Sequence, residues 1–224
     1  MLENLLKAYS QERIAVVDAS ISFKKYALVD LSVQNERLEN VDQSDPKQFQ
    51  DFLDAHLTRE RAKVAYGGYN EERGLYENSE QFNSTTENAR NIHLGIDFWV
   101  GAGTPVLAAM DGEVHSFKDN NAVADYGPTI ILKHRLEDQV FYSLYGHLSR
   151  RSLQDMNIGK IVKKGDVIAT LGTPEENVNY APHLHFQLIK DLQGNNGDYP
   201  GVCSKAERDF YLANCPDPNL LLKI

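Results

Sequence analysis

The chain has 224 residues, 42% of them hydrophobic and 25% charged, with a formal net charge of −9. That balance predicts a globular protein with one substantial domain plus an added element, not a disordered chain. The acidic charge argues against a nucleic-acid partner, since the cationic runs stop at Arg150-Arg151 and Lys163-Lys164, and no stretch approaches the ~20 apolar residues of a membrane span.

Residues 1–7 lack the basic and apolar regions of a signal peptide, which for the sequence as it stands predicts a cytoplasmic location. Leu2, Leu5, Leu6 and Tyr9 recur at helical spacing and predict a short amphipathic helix. Ile14–Val17 and Tyr26–Leu31 are short β-type runs. Asp45 is placed to cap a second helix with Pro46 at its first position and Phe49, Phe52, Leu53 and Leu57 on one face. His56 in that helix is expected to be a packed or surface histidine. Residues 66–91, rich in Gly, Asn and Glu and without a sustained period, predict an extended connecting loop.

From Ile92 onward strand signals follow closely, divided by turn pairs such as Asp111-Gly112 and Lys164-Gly165-Asp166. They predict a mainly β region with two hairpins. One joins Val106–Met110 to Glu113–Phe117, the other Thr129–Lys133 to Val140–Tyr145. Ser204-Lys205-Ala206-Glu207 has the form of a capping box, predicting a short helix that ends near Asn214 and Pro216. Cys203 and Cys215 are expected to be free thiols.

His183-Leu184-His185, at the head of an apolar run, is the chemical centre of this pattern. On a strand the two imidazoles share one face, roughly 7 Å apart, as suits a metal site in which one binds the ion and the other serves the substrate. Further ligands must come from elsewhere. A histidine four residues before an aspartate occurs three times, as His93/Asp97, His115/Asp119 and His134/Asp138. Four residues span about 13 Å of straight strand, too far to share an ion, so the chain must bend between them. Only the first pair encloses a glycine, Gly95, so His93 and Asp97 are the expected ligands, with His115 and His134 structural. His147, in Tyr145-Gly146-His147-Leu148-Ser149, ends a strand after a glycine and by itself reads as a turn residue.

Together, His93-x-x-x-Asp97, Tyr145-Gly146-His147-Leu148-Ser149 and His183-Leu184-His185-Phe186 resemble, in order and spacing, the lysostaphin-type (LytM-like) zinc metallopeptidases. Gly103-Thr104-Pro105-Val106, Asp111-Gly112-Glu113-Val114 and Val162–Gly172 resemble that family's barrel, and the likeness covers about residues 90 to 190. It implies a β-rich α+β fold, an antiparallel barrel-sandwich hybrid of duplicated hybrid motif. This would occupy residues 91–224, with an N-terminal extension over 1–90 and a short C-terminal helix. It implies one Zn2+ held by His93, Asp97 and His185, with His147 and His183 as catalytic histidines. The activity implied is a metalloendopeptidase or amidase acting on peptide or muropeptide-like substrates. Three protein ligands leave the open position of a catalytic zinc, and without a His-Glu-x-x-His glutamate the two further histidines must do the acid–base work.

Thr173–Pro182 stands where relatives carry a glycine-rich segment, and Gln187 where they carry a glutamate. Asp125–Thr129 and the segments 197–201 and 215–220 are similar to a subgroup fused to kinase-like and class III aminotransferase domains, which implies an intracellular substrate. Two other readings stay open: a non-catalytic or regulatory module of the same fold, and a hydrolase of a small amide metabolite. Asn70 is a candidate latency residue, one that would occupy the metal from an upstream segment lying across the groove.

Overall fold

The computed structural model of the chain describes residues 1–74, 89–122 and 125–224. Helix α1 (Leu2–Tyr9) buries Leu2 and Leu6, as the spacing of its leucines predicts. After strand β1 (Tyr26–Leu28) comes helix α2 (Pro46–Glu60). The Asp45 carboxylate accepts from the N–H groups of Lys47 and Gln48, and Pro46 takes the first helical position, where an N–H is not needed. The strands that follow are β2 (Val64–Gly67), β3 (Arg90–His93), β4 (Ile96–Trp99), β5 (Pro105–Leu107), β6 (Gly112–Asn120), β7 (Gly127–Leu136) and β8 (Gln139–Gly146). Helix α3 (Arg151–Gln154) precedes β9 (Ile161–Val162), β10 (Val167–Thr170), β11 (His183–Ile189) and β12 (Val202–Ser204). Helices α4 (Arg208–Asn214) and α5 (Asn219–Leu222) close the chain.

The protein is mainly β. Among the described residues, eight strands form one sheet in the order β1-β2-β4-β11-β8-β7-β6-β9, while β5–β10 and β3–β12 form two-stranded ladders. All pairs are antiparallel except β1–β2. The central strands are buried on both faces, which is why β7 reads as a continuous apolar run and not an alternating one. Ile130 and Leu132 join Val106, Ala169, Leu184 and Phe186 on one face, and Ile131 joins Ile92, Leu144 and Cys203 on the other. The β5–β10 and β3–β12 ladders therefore pack against opposite faces of the large sheet.

The β7–β8 hairpin forms as expected, with Ile130 opposite Tyr145. The other expected hairpin does not, because β5 pairs with β10 and β6 pairs with β7 and β9. Gly112 is absent from the positive-φ glycines, so Asp111-Gly112 does not make the left-handed turn that returns a strand on its neighbour. A Cβ on Gly112 would lie 2.6 Å from the Lys133 carbonyl oxygen, so glycine is there for close approach. Asp111 instead ties down another turn, accepting from Lys163 Nζ and the Lys164 N–H.

Residues 66–74 are also more ordered than a connecting loop. β2 runs through Gly67 and pairs with β4, placing Gly67 opposite Asp97, and Glu72 bridges to Ile92 beside β3. The rest of that expected loop, residues 75–88, lies outside the described residues. Ser204 and Glu207 bond side chain to side chain, but α4 starts only at Arg208, so the pair closes the turn ahead of the helix.

Candidate active site

Strand β11 carries the site on one face and the core on the other. Leu184, Phe186 and Leu188 enter the main apolar cluster, which by strand alternation turns His183, His185 and Gln187 to the opposite face. β4 lies antiparallel beside it, with Asp97 opposite His185 and Trp99 opposite His183. β3 belongs to the other ladder, so the bend at Leu94-Gly95 carries the chain between sheets and brings His93 over Asp97. Gly95 has no positive φ. Its contribution is space: a Cβ there would come within 2.7 Å of His185 Cε1 and of the Phe186 carbonyl oxygen.

The three expected ligands converge. His93 Nε2 lies 2.9 Å from His185 Nδ1 and 3.3 Å from Asp97 Oδ1, and His185 Nδ1 lies 3.0 Å from that same oxygen. All three side chains are buried. The remaining ring nitrogens show which protons are present. His93 Nδ1 lies 3.0 Å from the Gly68 carbonyl, a group that only accepts, so it carries a proton and Nε2 carries a lone pair. Gln187 Nε2 donates to the Pro200 carbonyl, which turns Oε1 toward His185 Nε2 at 2.9 Å. That nitrogen donates to the amide oxygen, while His185 Nδ1 faces His93 Nε2 and Asp97 Oδ1. Two imidazole nitrogens and a carboxylate oxygen thus meet at one point, a donor set that suits a cation. Neighbouring ligands of a tetrahedral shell with bonds of ~2.0–2.1 Å stand ~3.3 Å apart, close to the observed edges. His93, Asp97 and His185 can hold a metal ion.

The electrostatics agree. Burial, reinforced by the nearby Arg73, pulls His93 down to about 4, so it is neutral at physiological pH. Burial alone would raise Asp97, but the facing histidine and Arg73 outweigh it and hold the carboxyl well below the usual range.

His147 and His183 stand next to this cluster, with ring centroids 4.0 Å apart. His183 Nδ1 donates to the Ala181 carbonyl at 2.8 Å, leaving Nε2 as its free face, and the ring stacks on Trp99 at 5.7 Å. His147 has φ 61°, in the left-handed region. Its N–H donates to Tyr126 O and its carbonyl accepts from the Gly172 N–H, which together hold that conformation. Burial depresses both imidazoles, and the neighbouring histidines push His147 further down. His115 and His134 do not join the site. His115 contacts Ser116 Oγ, and His134 is held between the Asp111 carbonyl and Ser143 Oγ.

Asn70 does not take the latency position, because its side-chain oxygen accepts from Arg208 Nε. The same segment reaches the site from behind through Gly68 and Arg73, neither singled out by sequence reading. The signal was present: Glu71 and Arg73 are two apart in an extended stretch, hence on one face. Tyr126 and Phe49 were also missed, and with Tyr180, from the segment 173–182, and the five polar residues they line a cavity of about 380 Å³. Phe49 comes from α2 and packs edge-on against Trp99.

A mainly β scaffold presenting two histidines and an aspartate to one metal position, with two more histidines beside them, defines a candidate metallohydrolase. Residues 91–198 match the model of peptidase family M23. It is 33% identical over 137 residues to a protein of Haemophilus influenzae named as an uncharacterized metalloprotease, covering 58% of this chain and 27% of that one. It is 34% identical over 104 residues to the glycyl-glycine endopeptidase ALE-1 of Staphylococcus capitis, 46% of this chain and 26% of that one. To the peptidoglycan DD-endopeptidase ShyC of Vibrio cholerae it is 32% identical over 97 residues, 43% and 20% of the two chains. The chain thus spans about a quarter of the length of these curated relatives. The solved catalytic domain of lysostaphin from Staphylococcus simulans is 27% identical, covering 71% of this chain and 89% of that one with a TM-score of 0.43.

Proposed function

We propose that this protein is a zinc-dependent endopeptidase or amidase that hydrolyses peptide bonds in peptidoglycan-like peptides. Its peptidase domain would occupy residues 91–224, with residues 1–90 as an N-terminal part. His93, Asp97 and His185 would hold the ion, and His147 and His183 would be the catalytic pair. The observation that carries this reading is the meeting of His93 Nε2, His185 Nδ1 and Asp97 Oδ1, three buried donor atoms 2.9 to 3.3 Å apart. Relatives named as endopeptidases support the choice of bond and substrate.

Zinc bound there would supply Lewis-acid polarisation of the scissile carbonyl and a nucleophilic water at neutral pH. The chain's own residues would do the rest. His183 Nε2, free because Nδ1 is spent on Ala181, is placed to accept a proton. His147, its ring tilted against that of His183, is placed to donate to the developing oxyanion or the leaving amine. Trp99, Tyr126 and Tyr180 wall the cavity and limit water around the reacting atoms.

The test is to incubate zinc-loaded protein with purified muropeptides and, separately, with a cytosolic peptide library, with His93→Ala as control. Muropeptide cleavage by the wild type alone is expected. Cleavage confined to the cytosolic set would reassign the substrate, and no cleavage of either by metal-replete protein would overturn the enzymatic reading. His147→Ala and His183→Ala are expected to retain one zinc per chain while losing about 10²- to 10⁴-fold in rate.

A further inference from the structure

Arg73 is 3% exposed, yet it belongs to the N-terminal segment and not to the matched family region. Burying a guanidinium is costly unless its charge and donors are met. Here NH1 donates to Asp97 Oδ2 at 2.6 Å and Nε to Glu71 Oε2 at 2.8 Å, while Cζ lies 5.6 Å from the centre of the Trp99 ring. The oxygen that Arg73 takes is not the one aimed at the histidines, so Asp97 divides its carboxylate, Oδ2 to Arg73 and Oδ1 to the metal position. The other oxygen of Glu71 accepts from the Leu31 N–H, anchoring the pair to the N-terminal part.

The charge arrangement explains why an arginine is tolerated so near a cation site. Arg73 alone would repel a divalent ion, but Glu71 and Asp97 flank it and leave the trio with one net negative charge. The same turn supplies the Gly68 carbonyl that holds His93 Nδ1. Gly68, at φ +104°, has no room for a side chain, since a Cβ would overlap the Arg73 guanidinium and approach Glu71 Oε2 to 2.9 Å. One short segment thus braces two of the three ligands from outside the groove.

We propose that Arg73, neutralised by Glu71, is a positioning residue that fixes the metal-binding rotamer of Asp97, so that the N-terminal segment is a constituent of the metal site. This rests on the metallopeptidase reading, and the test separates the two. Full-length wild type, Arg73→Met and Arg73→Lys would be titrated with Zn2+ against a chromogenic chelator, and the visible spectra of the Co2+-loaded proteins recorded. The wild type should bind one equivalent. Arg73→Met should bind about 10- to 100-fold more weakly with displaced cobalt bands. Arg73→Lys, which keeps the charge but cannot span both carboxylates, should fall between. A purely structural arginine would lower thermal stability and leave the cobalt bands in place. Wild-type affinity and wild-type bands in both variants overturn the proposal. Should Arg73→Met fail to fold, Arg73→Lys decides it: weaker binding with shifted bands supports the role, and unchanged binding removes it. A wild type that takes up no metal overturns the metallopeptidase reading itself.

Discussion

His147 shows how a single side chain is aimed by its backbone. A non-glycine residue in the left-handed region costs about 1–3 kcal/mol and persists only where its surroundings dictate it. Here main-chain hydrogen bonds on both sides do so, and the ring lands on His183. His134 illustrates the opposite case, a buried histidine with a structural task. Burial pulls it from 6.5 down to about 4. Between those pH values the unfolded chain binds a proton that the folded one refuses, so stability is full above about pH 6.5 and falls as pH drops toward 4. The loss should reach roughly 3 kcal/mol. Denaturant unfolding at pH 7 and pH 4.5 checks this: His134→Asn should make the dependence shallower by its share, the buried His93, His147 and His183 keeping theirs, and an unchanged slope would assign it to those groups alone.

The bend between β3 and β4 is the element on which convergence depends. Gly95→Ala would drive a methyl group into the His185 ring and into the immovable Phe186 carbonyl. It is expected to cost about 1–3 kcal/mol and to abolish stoichiometric zinc binding, as read by chemical denaturation and metal analysis. Full zinc occupancy in a folded Gly95→Ala protein would show that the site tolerates the shift. β11 is more forgiving, because its alternation commits three side chains to the core and three to the site. Leu184, Phe186 and Leu188 anchor it from behind, and each fully buried apolar side chain contributes about 1.5–3 kcal/mol.

Across the molecule, the N-terminal part and the strands beyond residue 91 share one core. Leu2, Leu6, Val16, Val17 and Val64 lie in the same cluster as Phe98, Leu132 and Phe186, and β2 covers the edge of β4. A fragment beginning at residue 75 would expose that cluster and leave β4 unpaired on one side. It is expected to lack a cooperative thermal transition by circular dichroism, where an inhibitory flap would leave behind a folded and more active remainder. The intact chain should lose about 2–5 kcal/mol on Leu6→Ala, since Leu6 is fully buried.

Four of the five polar residues of the site, His93, Asp97, His183 and His185, were legible from residue type and spacing, whereas His147, by itself a turn residue, entered only through the resemblance to the lysostaphin-type family. Alternation placed His183 and His185 on one face, and a bend was required between His93 and Asp97. The α2 cap, the β7–β8 hairpin and the leucine face of α1 were legible for the same reason: each depends on neighbours a few residues apart. The partners of β5, the ordering of Gly68–Arg73 behind Asp97 and the turn of Gln187 toward His185 were not. These join residues tens of positions apart, and local spacing carries no information about which distant strand lies alongside. The role of Gly95 was misjudged on that account, since the backbone angle it might relieve is local, whereas the imidazole it must clear arrives from a strand ninety residues away.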